Sequence, residues 1–411
     1  VSRRSFRRQS ELLRRGPAFR RLFIATFASG LGTWIAVIAL TVDVYDRTGS
    51  ATWVGALLIA DFLPSVAIGL LLGPLIDRLS RRRIMVVADL ARAGIFVALP
   101  FAASAAGVVA LAAAAGFATG FFRPASLAGL PNLVDQETLP AANSLLRGGE
   151  YLSWTIGTAL GGIIVSAAGP GLAYDVNAVT FLFAAALILR IPPTLLQSVR
   201  AVSRGHWRDV ADGFGVVFRS RVLLAVFWAW NLVMLGNGGI NVAEIFLAKV
   251  SFDGGDVGFG LMWAASGLGL LVGSLYAPRW LEVRGVLFSY TVAIVLMAFG
   301  ALTAGVSPNV WVALPCMALG GAGNGAAVVY NTLLVQRGAR DELRGRVFTV
   351  IMSTNFALLG LGMALAGPVT NEIGARWVFV LSACCQSVAA VIGYILLRSA
   401  HGAVDVEPEP A

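Results

Sequence analysis

Charge is what this sequence has least of. Only 13% of its 411 residues are charged and 57% are hydrophobic, whereas a soluble domain carries about 25% charged residues. Most of the surface must therefore face something other than water. Lysine is nearly absent: Lys249 is the only one, and the net charge of +9 rests on arginine. The three cysteines, Cys316, Cys384 and Cys385, lie in apolar runs and form no C-x-x-C pair, which excludes a disulfide framework. The two histidines, His206 and His401, fall outside the apolar runs, so no metal cluster can be read and no metal is expected. There is no Walker loop and no nucleophile elbow. Neither enzyme activity nor a cofactor is expected, and an ion gradient is left as the energy source. The arginines sit in short segments between apolar runs, as topology signals do, so nucleic acid is not an expected partner.

What is present is a series of long apolar runs. A bilayer core about 30 Å thick needs about 20 residues of helix at 1.5 Å each. Backbone groups inside lipid must be satisfied within the segment, so runs of this length are helices. The sequence predicts spans over 22–45, 53–76, 84–103, 107–130, 145–168, 172–190, 222–248, 257–280, 286–305, 309–335, 347–370 and 374–397. Trp53, Trp280, Trp311 and Trp377 fall at span ends, where interfacial aromatics belong. The first run is too long for the apolar region of a cleaved signal, and it is read as a retained span.

The fold class expected is an all-α membrane protein of twelve transmembrane helices in two six-helix pseudo-repeats. Of the basic residues, all but Arg47, Lys249, Arg376 and the intramembrane Arg92 and Arg123 fall on the side of the N-terminus. That bias makes both termini cytoplasmic and the membrane the cytoplasmic (inner) one. The expected order is an Arg-rich cytoplasmic segment 1–21, a six-helix bundle 22–190, a cytoplasmic linker 191–221, a second bundle 222–397 and a tail 398–411. In the linker, Trp207, Val210, Ala211, Phe214, Val217 and Phe218 recur at helical spacing, predicting an amphipathic helix on the membrane surface. Gly73-x-Leu75 recurs as Gly273-x-Leu275, an offset that matches one half of the chain. Duplicated halves place a substrate site near mid-membrane.

One loop carries the most specific motif: Gly73-Pro74-Leu75-Ile76-Asp77-Arg78-Leu79-Ser80-Arg81-Arg82-Arg83. The glycine permits close helix approach, and the aspartate at the membrane edge can pair with an arginine or a helix N-terminus. The stretch resembles the signature loop of the major facilitator superfamily, G-x-L-x-D-R-x-G-R-R-R, with Ser80 in place of the second glycine. Leu130-Pro131-Asn132-Leu133-Val134 with Ala142-Asn143, and Asp341-Glu342-Leu343-Arg344-Gly345-Arg346-Val347 with Asn355, are similar to loops of the bacterial efflux branch that includes macrolide and enterobactin exporters. Gly148, Gly157 and Gly161 match the first three glycines of the antiporter motif, but Gly162, Val165 and Ser166 depart from the rest. The resemblance implies a rocker-type alternating-access cycle. It makes Gly73, Asp77, Arg78, Arg81 and Arg82 the latch of the cytoplasmic gate.

Charges inside spans are costly and are paired or functional. Asp89, Arg92, Arg123 and Glu150 lie in the cytoplasmic third and are read as a paired network bracing the inner gate with Asp77. Asp89 and Arg92, three apart, share a helix face. Asp61 lies deep in the outer half with no cation at its depth. Desolvation favours the neutral form of such an acid, so Asp61 is the first candidate proton carrier, ahead of Asp43 and Glu244. In the family resembled, the first, fourth, seventh and tenth helices line the cavity. On them stand Trp34, Phe121, Phe122, Trp228, Asn231, Asn237, Asn241, Asn324, Tyr330 and Asn331, an aromatic wall with sparse amides suited to a bulky amphipathic ligand.

The expected function is export of drug-, siderophore- or natural-product-like molecules by proton antiport, by a monomer in the lipid bilayer. The alternatives are a lipid or lysophospholipid flippase and a membrane sensor or assembly partner that transports nothing.

Overall fold

The computed structural model describes residues 11–14, 16–71, 79–196 and 214–400. No strand occurs among the described residues. Ten helices are long and apolar enough to cross a membrane: α1 (Pro17–Thr48), α2 (Ala51–Leu71), α3 (Arg81–Ala98), α4 (Ala105–Gly129), α5 (Leu139–Leu189), α6 (Arg221–Phe246), α7 (Gly255–Val306), α8 (Val310–Gly338), α9 (Asp341–Ile373) and α10 (Ala375–Arg398). A five-residue π-helix, Leu247–Ser251, extends α6. Side-chain caps start several helices: Ser104, Ser220 and Asn309 accept from the backbone N–H of Gly107, Leu223 and Val312.

At 51 and 52 residues, α5 and α7 are too long for one crossing. Each is two helices joined across a non-helical glycine, Gly169 (φ 76°) and Gly285 (φ 72°), in the left-handed region that glycine tolerates. The neighbours reveal the direction of each arm. Along the first arm of α5, Gly149 meets Phe23, Ser153 donates to the Phe27 carbonyl, and Gly161 meets Ile38, so this arm runs parallel to α1. Along the second arm, Tyr174 meets Asp43 while Asn177 and Thr180 lie against Gly32, an antiparallel run. The chain therefore reverses at Gly169. By the same logic it reverses at Gly285: Gly269 and Gly273 advance along α8 at Ala318 and Ala322, whereas Gly300 meets Gly320 and Tyr290 meets Asn331.

The chain divides into two compact units. Unit 1 is Val1–Ser203 with Ala248–Gly267, and unit 2 is Arg204–Leu247 with Leu268–Ala411. Assignment of 248–267 to unit 1 differs from the expected break at the linker. Its cause is local: Gly260 comes backbone-to-backbone with Gly162 of α5, and Lys249 binds Asp46 at the end of α1.

In unit 1, α1 is flanked by the two arms of α5, parallel and antiparallel. In unit 2, α6 is flanked in the same way. α9 runs parallel to it (Leu235 at Gly362, Gly239 at Ala366), and α10 antiparallel (Gly236 at Ser382, Ala229 at Gly393). The turn between α9 and α10 is Gly374, φ 92°, the counterpart of Gly169. Each unit thus holds one helix between a parallel and an antiparallel neighbour. The core of unit 2 gathers Val226, Phe227, Tyr290, Tyr330 and Leu334. Val217, expected on a membrane-surface helix, is fully buried in that core; Trp207, Val210 and Ala211 lie outside the described residues.

Candidate functional site

Unit 1 pairs most of its membrane charges. On α3, Arg92 donates to Asp89 one turn earlier, and both are buried. The guanidinium lies between the rings of Phe122 on α4 and Phe181 on α5, 4.5 and 4.2 Å from their centroids. Aromatic faces on both sides supply cation–π attraction in place of water. Arg123 binds Glu150 at 2.8 Å, with Arg147 at 3.4 Å from the other oxygen. Asp43 on α1 accepts from Arg47 at 2.6 Å and from the Tyr174 hydroxyl at 2.9 Å, while Arg47 also donates to the Ala102 carbonyl. Lys249 binds Asp46 at 2.6 Å and Asp256 at 2.8 Å, above the ring of Tyr45.

Asp61 is different. It is the middle residue of the 21-residue α2, about 15 Å from either end at 1.5 Å per residue. It is partly accessible, and no hydrogen bond or ion pair reaches its carboxylate among the described residues. Backbone contact is close at this point: a Cβ on Gly116 of α4 would overlap the Asp61 carbonyl. Elsewhere in unit 1 Trp34 stacks on Trp154 (centroids 4.9 Å, planes 9° apart), and Trp263 lies 6.0 Å from each. The indole N–H groups of Trp154 and Trp263 are buried without an acceptor.

Unit 2 has a polar interior made of neutral groups. Asn231 donates to Thr354, Gln386 to Asn237, and Tyr290 to Asn331. Glu244 is 3% exposed, and its Oε1 has no partner. At 100° per residue, the contacts of α6 define three sides. Asn231, Leu235 and Gly238 face α9; Ala229, Gly236 and Gly239 face α10. Trp230, Asn237, Asn241 and Glu244 fall on the third side.

The profile of the family described as transmembrane secretion effector matches residues 13–410. This chain is a major facilitator transporter of that family. Among its relatives, the multidrug efflux pump Tap of Mycobacterium tuberculosis is 26% identical, over 92% of this chain and 93% of Tap. Macrolide efflux protein A of Streptococcus pyogenes is 24% identical, over 87% of this chain and 91% of its own. A solved structure of the nucleoside transporter NupG is similar in fold, with a TM-score of 0.76 at 14% identity over 92% of this chain and 99% of NupG. A POT family transporter gives 0.77 at 12% identity, over 94% and 96%. The family is one of transporters, not enzymes, and the protein is a multi-pass membrane protein.

Set in this major facilitator frame, several expected roles change. Phe122 is not free to line a cavity, because its face is taken by Arg92. Tyr330 is buried and donates to the Ala277 carbonyl at 2.9 Å, and Asn331 accepts from Tyr290 at 2.8 Å. Both hold unit 2 together. Asn231 is buried against α9. Asp43 is held by Arg47 and by the Tyr174 hydroxyl. Phe121 packs edge-on to Phe117, Trp228 is exposed beside Phe227, and Asn241 and Asn324 are partly buried. Of the expected gate latch, Gly73, Asp77 and Arg78 lie outside the described residues. Arg81 donates to the carbonyls of Ala128 and Leu196, and Arg82 to those of Leu189 and Ile191. Ala128 and Leu189 lie in the last turns of α4 and α5, where cations suit the helix dipole, and Ile191 and Leu196 lie just beyond α5. Sequence reasoning missed Tyr174, Trp154, Trp263 and Gln386. It also passed over Lys249, whose standing as the sole lysine was the available signal.

Proposed function

We propose that this transporter exports amphipathic small molecules from the cytoplasm by proton antiport, with alternating access. The efflux direction draws support from relatives named as multidrug and macrolide efflux pumps. The observation that carries the coupling is Asp61, a mid-span carboxylate without a partner among the described residues. An ionisable group inside a span, without a fixed partner, is free to exchange a proton with a wet pathway.

In this reading the ten helices make twelve crossings, since α5 and α7 each reverse at a glycine. Both termini are cytoplasmic, the membrane is the inner one and the monomer is the working unit. Arg81, Arg82, Asp89, Arg92, Arg123 and Glu150 brace the cytoplasmic end of the first six crossings. Trp34 with Trp154 and Trp263 offers an aromatic surface that meets cargo. No cofactor takes part.

The test is transport of ethidium and chloramphenicol by purified protein in liposomes, with and without an imposed pH gradient. Gradient-driven movement that Asp61→Asn abolishes supports the reading. Movement that survives Asp61→Asn removes Asp61 as carrier. Wild-type protein that moves neither compound under a gradient overturns drug antiport.

A further inference from the structure

The carbonyls at the end of α5 gather arginines from two other helices. Arg21 of α1 donates to the Arg190 carbonyl at 2.8 Å, and Arg82 of α3 donates to those of Leu189 and Ile191, each at 3.2 Å. The two guanidiniums grip the backbone on both sides of Arg190, which is itself exposed, as is Arg83 next to Arg82. Neutral carbonyls orient these charges without cancelling them. No ion pair reaches Arg21, Arg82, Arg83 or Arg190 among the described residues. The acids of the neighbouring segments are engaged or turned to solvent: Asp89 is buried and bound to Arg92, and Asp135 and Glu137 are exposed in the loop after α4. Like charges gathered in this way repel one another, and an anion among them relieves the repulsion.

The surface next to the cluster points to the kind of anion. Arg83 begins an exposed face of α3 that carries Val87 and Leu90, four and seven residues on. Arg190 ends an exposed face of α5 that carries Val179 and Phe183, eleven and seven residues back. At 1.5 Å per residue these apolar faces reach about 10 to 16 Å into the span, where they meet acyl chains. A guanidinium binds a phosphate through paired N–H groups. Arg21 and Arg82 each commit only Nη1 to the carbonyls and keep further donors for an oxyanion. A soluble phosphate would use the charges and leave the apolar faces idle. A phospholipid uses both, and basic clusters at helix ends suit anionic headgroups.

We infer that Arg21, Arg82, Arg83 and Arg190 form a site for one anionic phospholipid in the leaflet on the N-terminal side. Its phosphodiester sits among the guanidiniums, and its chains run along α3 and the second arm of α5. The lipid is a resident of the site and not cargo. Bound there, it ties α1, α3 and α5 together at one end of unit 1. The inference stands apart from the transport reading, since binding needs only a chain set in a membrane.

The test uses the full chain in an uncharged maltoside detergent and titrates phosphatidylglycerol or phosphatidylcholine, counting bound lipid by native mass spectrometry. Wild type is expected to bind phosphatidylglycerol at least about tenfold more tightly than phosphatidylcholine. Arg83→Gln with Arg190→Gln, which breaks no side-chain bond recorded in the fold, should remove about tenfold of phosphatidylglycerol affinity and leave phosphatidylcholine within about twofold. Arg83→Lys with Arg190→Lys keeps the charge and should stay within about threefold of wild type. The control removes two exposed arginines of unit 2, Arg279→Gln with Arg284→Gln, and should change phosphatidylglycerol binding by no more than about twofold. Wild type without a preference between the lipids overturns the inference, as does a Gln pair that binds phosphatidylglycerol like wild type. A control that loses as much as the Gln pair reduces the effect to a diffuse positive field and overturns it too. Glycerophosphoglycerol, the headgroup without its chains, should not displace the lipid at equal concentration; displacement would assign the cluster to a soluble phosphodiester. If the Gln pair does not fold, the wild-type preference decides, and equal affinity for the two lipids overturns the site.

Discussion

Asp89 and Glu244 are both buried carboxyls in membrane helices, and the protein treats them in opposite ways. Asp89 has Arg92 one turn away on its own helix, and the guanidinium is clamped between Phe122 and Phe181. Glu244 has no ion pair among the described residues, and its Oε1 has no partner. The Asp89–Arg92 pair, with its guanidinium between two rings, holds helices together. The contrast extends to other membrane acids of unit 1: Asp43, Glu150 and Asp256 are paired, whereas no ion pair or hydrogen bond reaches the Asp61 carboxylate among the described residues.

The largest expected effect comes from breaking the locked pair. Asp89→Ala strands the Arg92 charge between two rings and should cost about 3–5 kcal/mol, read as a fall in the thermal unfolding midpoint in detergent. Replacing both partners by Leu and Met should recover much of the loss. A single variant as stable as wild type would break the comparison. Next, Gly238→Val places side-chain atoms into the Leu359 carbonyl where α6 crosses α9 and should cost about 1–3 kcal/mol. Gly171→Ala, where nothing lies within 4 Å of the new atom, should leave the midpoint unchanged or raise it. Tyr174→Phe removes one donor to Asp43 and should cost about 1 kcal/mol. Lys249→Gln removes ion pairs to Asp46, 52% exposed, and to Asp256, 19% exposed, and should cost about 1 kcal/mol. A loss as large as that of Asp89→Ala would mean that Lys249 belongs with the locked charges.

The helices were legible because length and hydropathy are local properties. The reversals at Gly169 and Gly285 fall where the sequence reading leaves gaps between runs. The Asp89–Arg92 pair was legible from its spacing of three, and Arg123–Glu150 from equal depth on successive helices. What stayed hidden depends on contacts between distant segments. Nothing local announces that Tyr174 will meet Asp43, that Gln386 will hold Asn237, or that Phe122 will cover Arg92 in preference to a cavity. Asp61 was legible from the absence of a cation at its depth. Glu244 ranked below it because it lies nearer the outer end, and that position says nothing about its burial.

The most direct test measures gradient-driven ethidium transport and thermal unfolding on the same preparations of Asp61→Asn and Asp89→Asn. The account predicts that Asp61→Asn keeps the wild-type unfolding midpoint and loses gradient-driven ethidium transport, while Asp89→Asn unfolds at a clearly lower temperature. An Asp61→Asn protein that transports ethidium like wild type under a gradient, or that unfolds as early as Asp89→Asn, would contradict it.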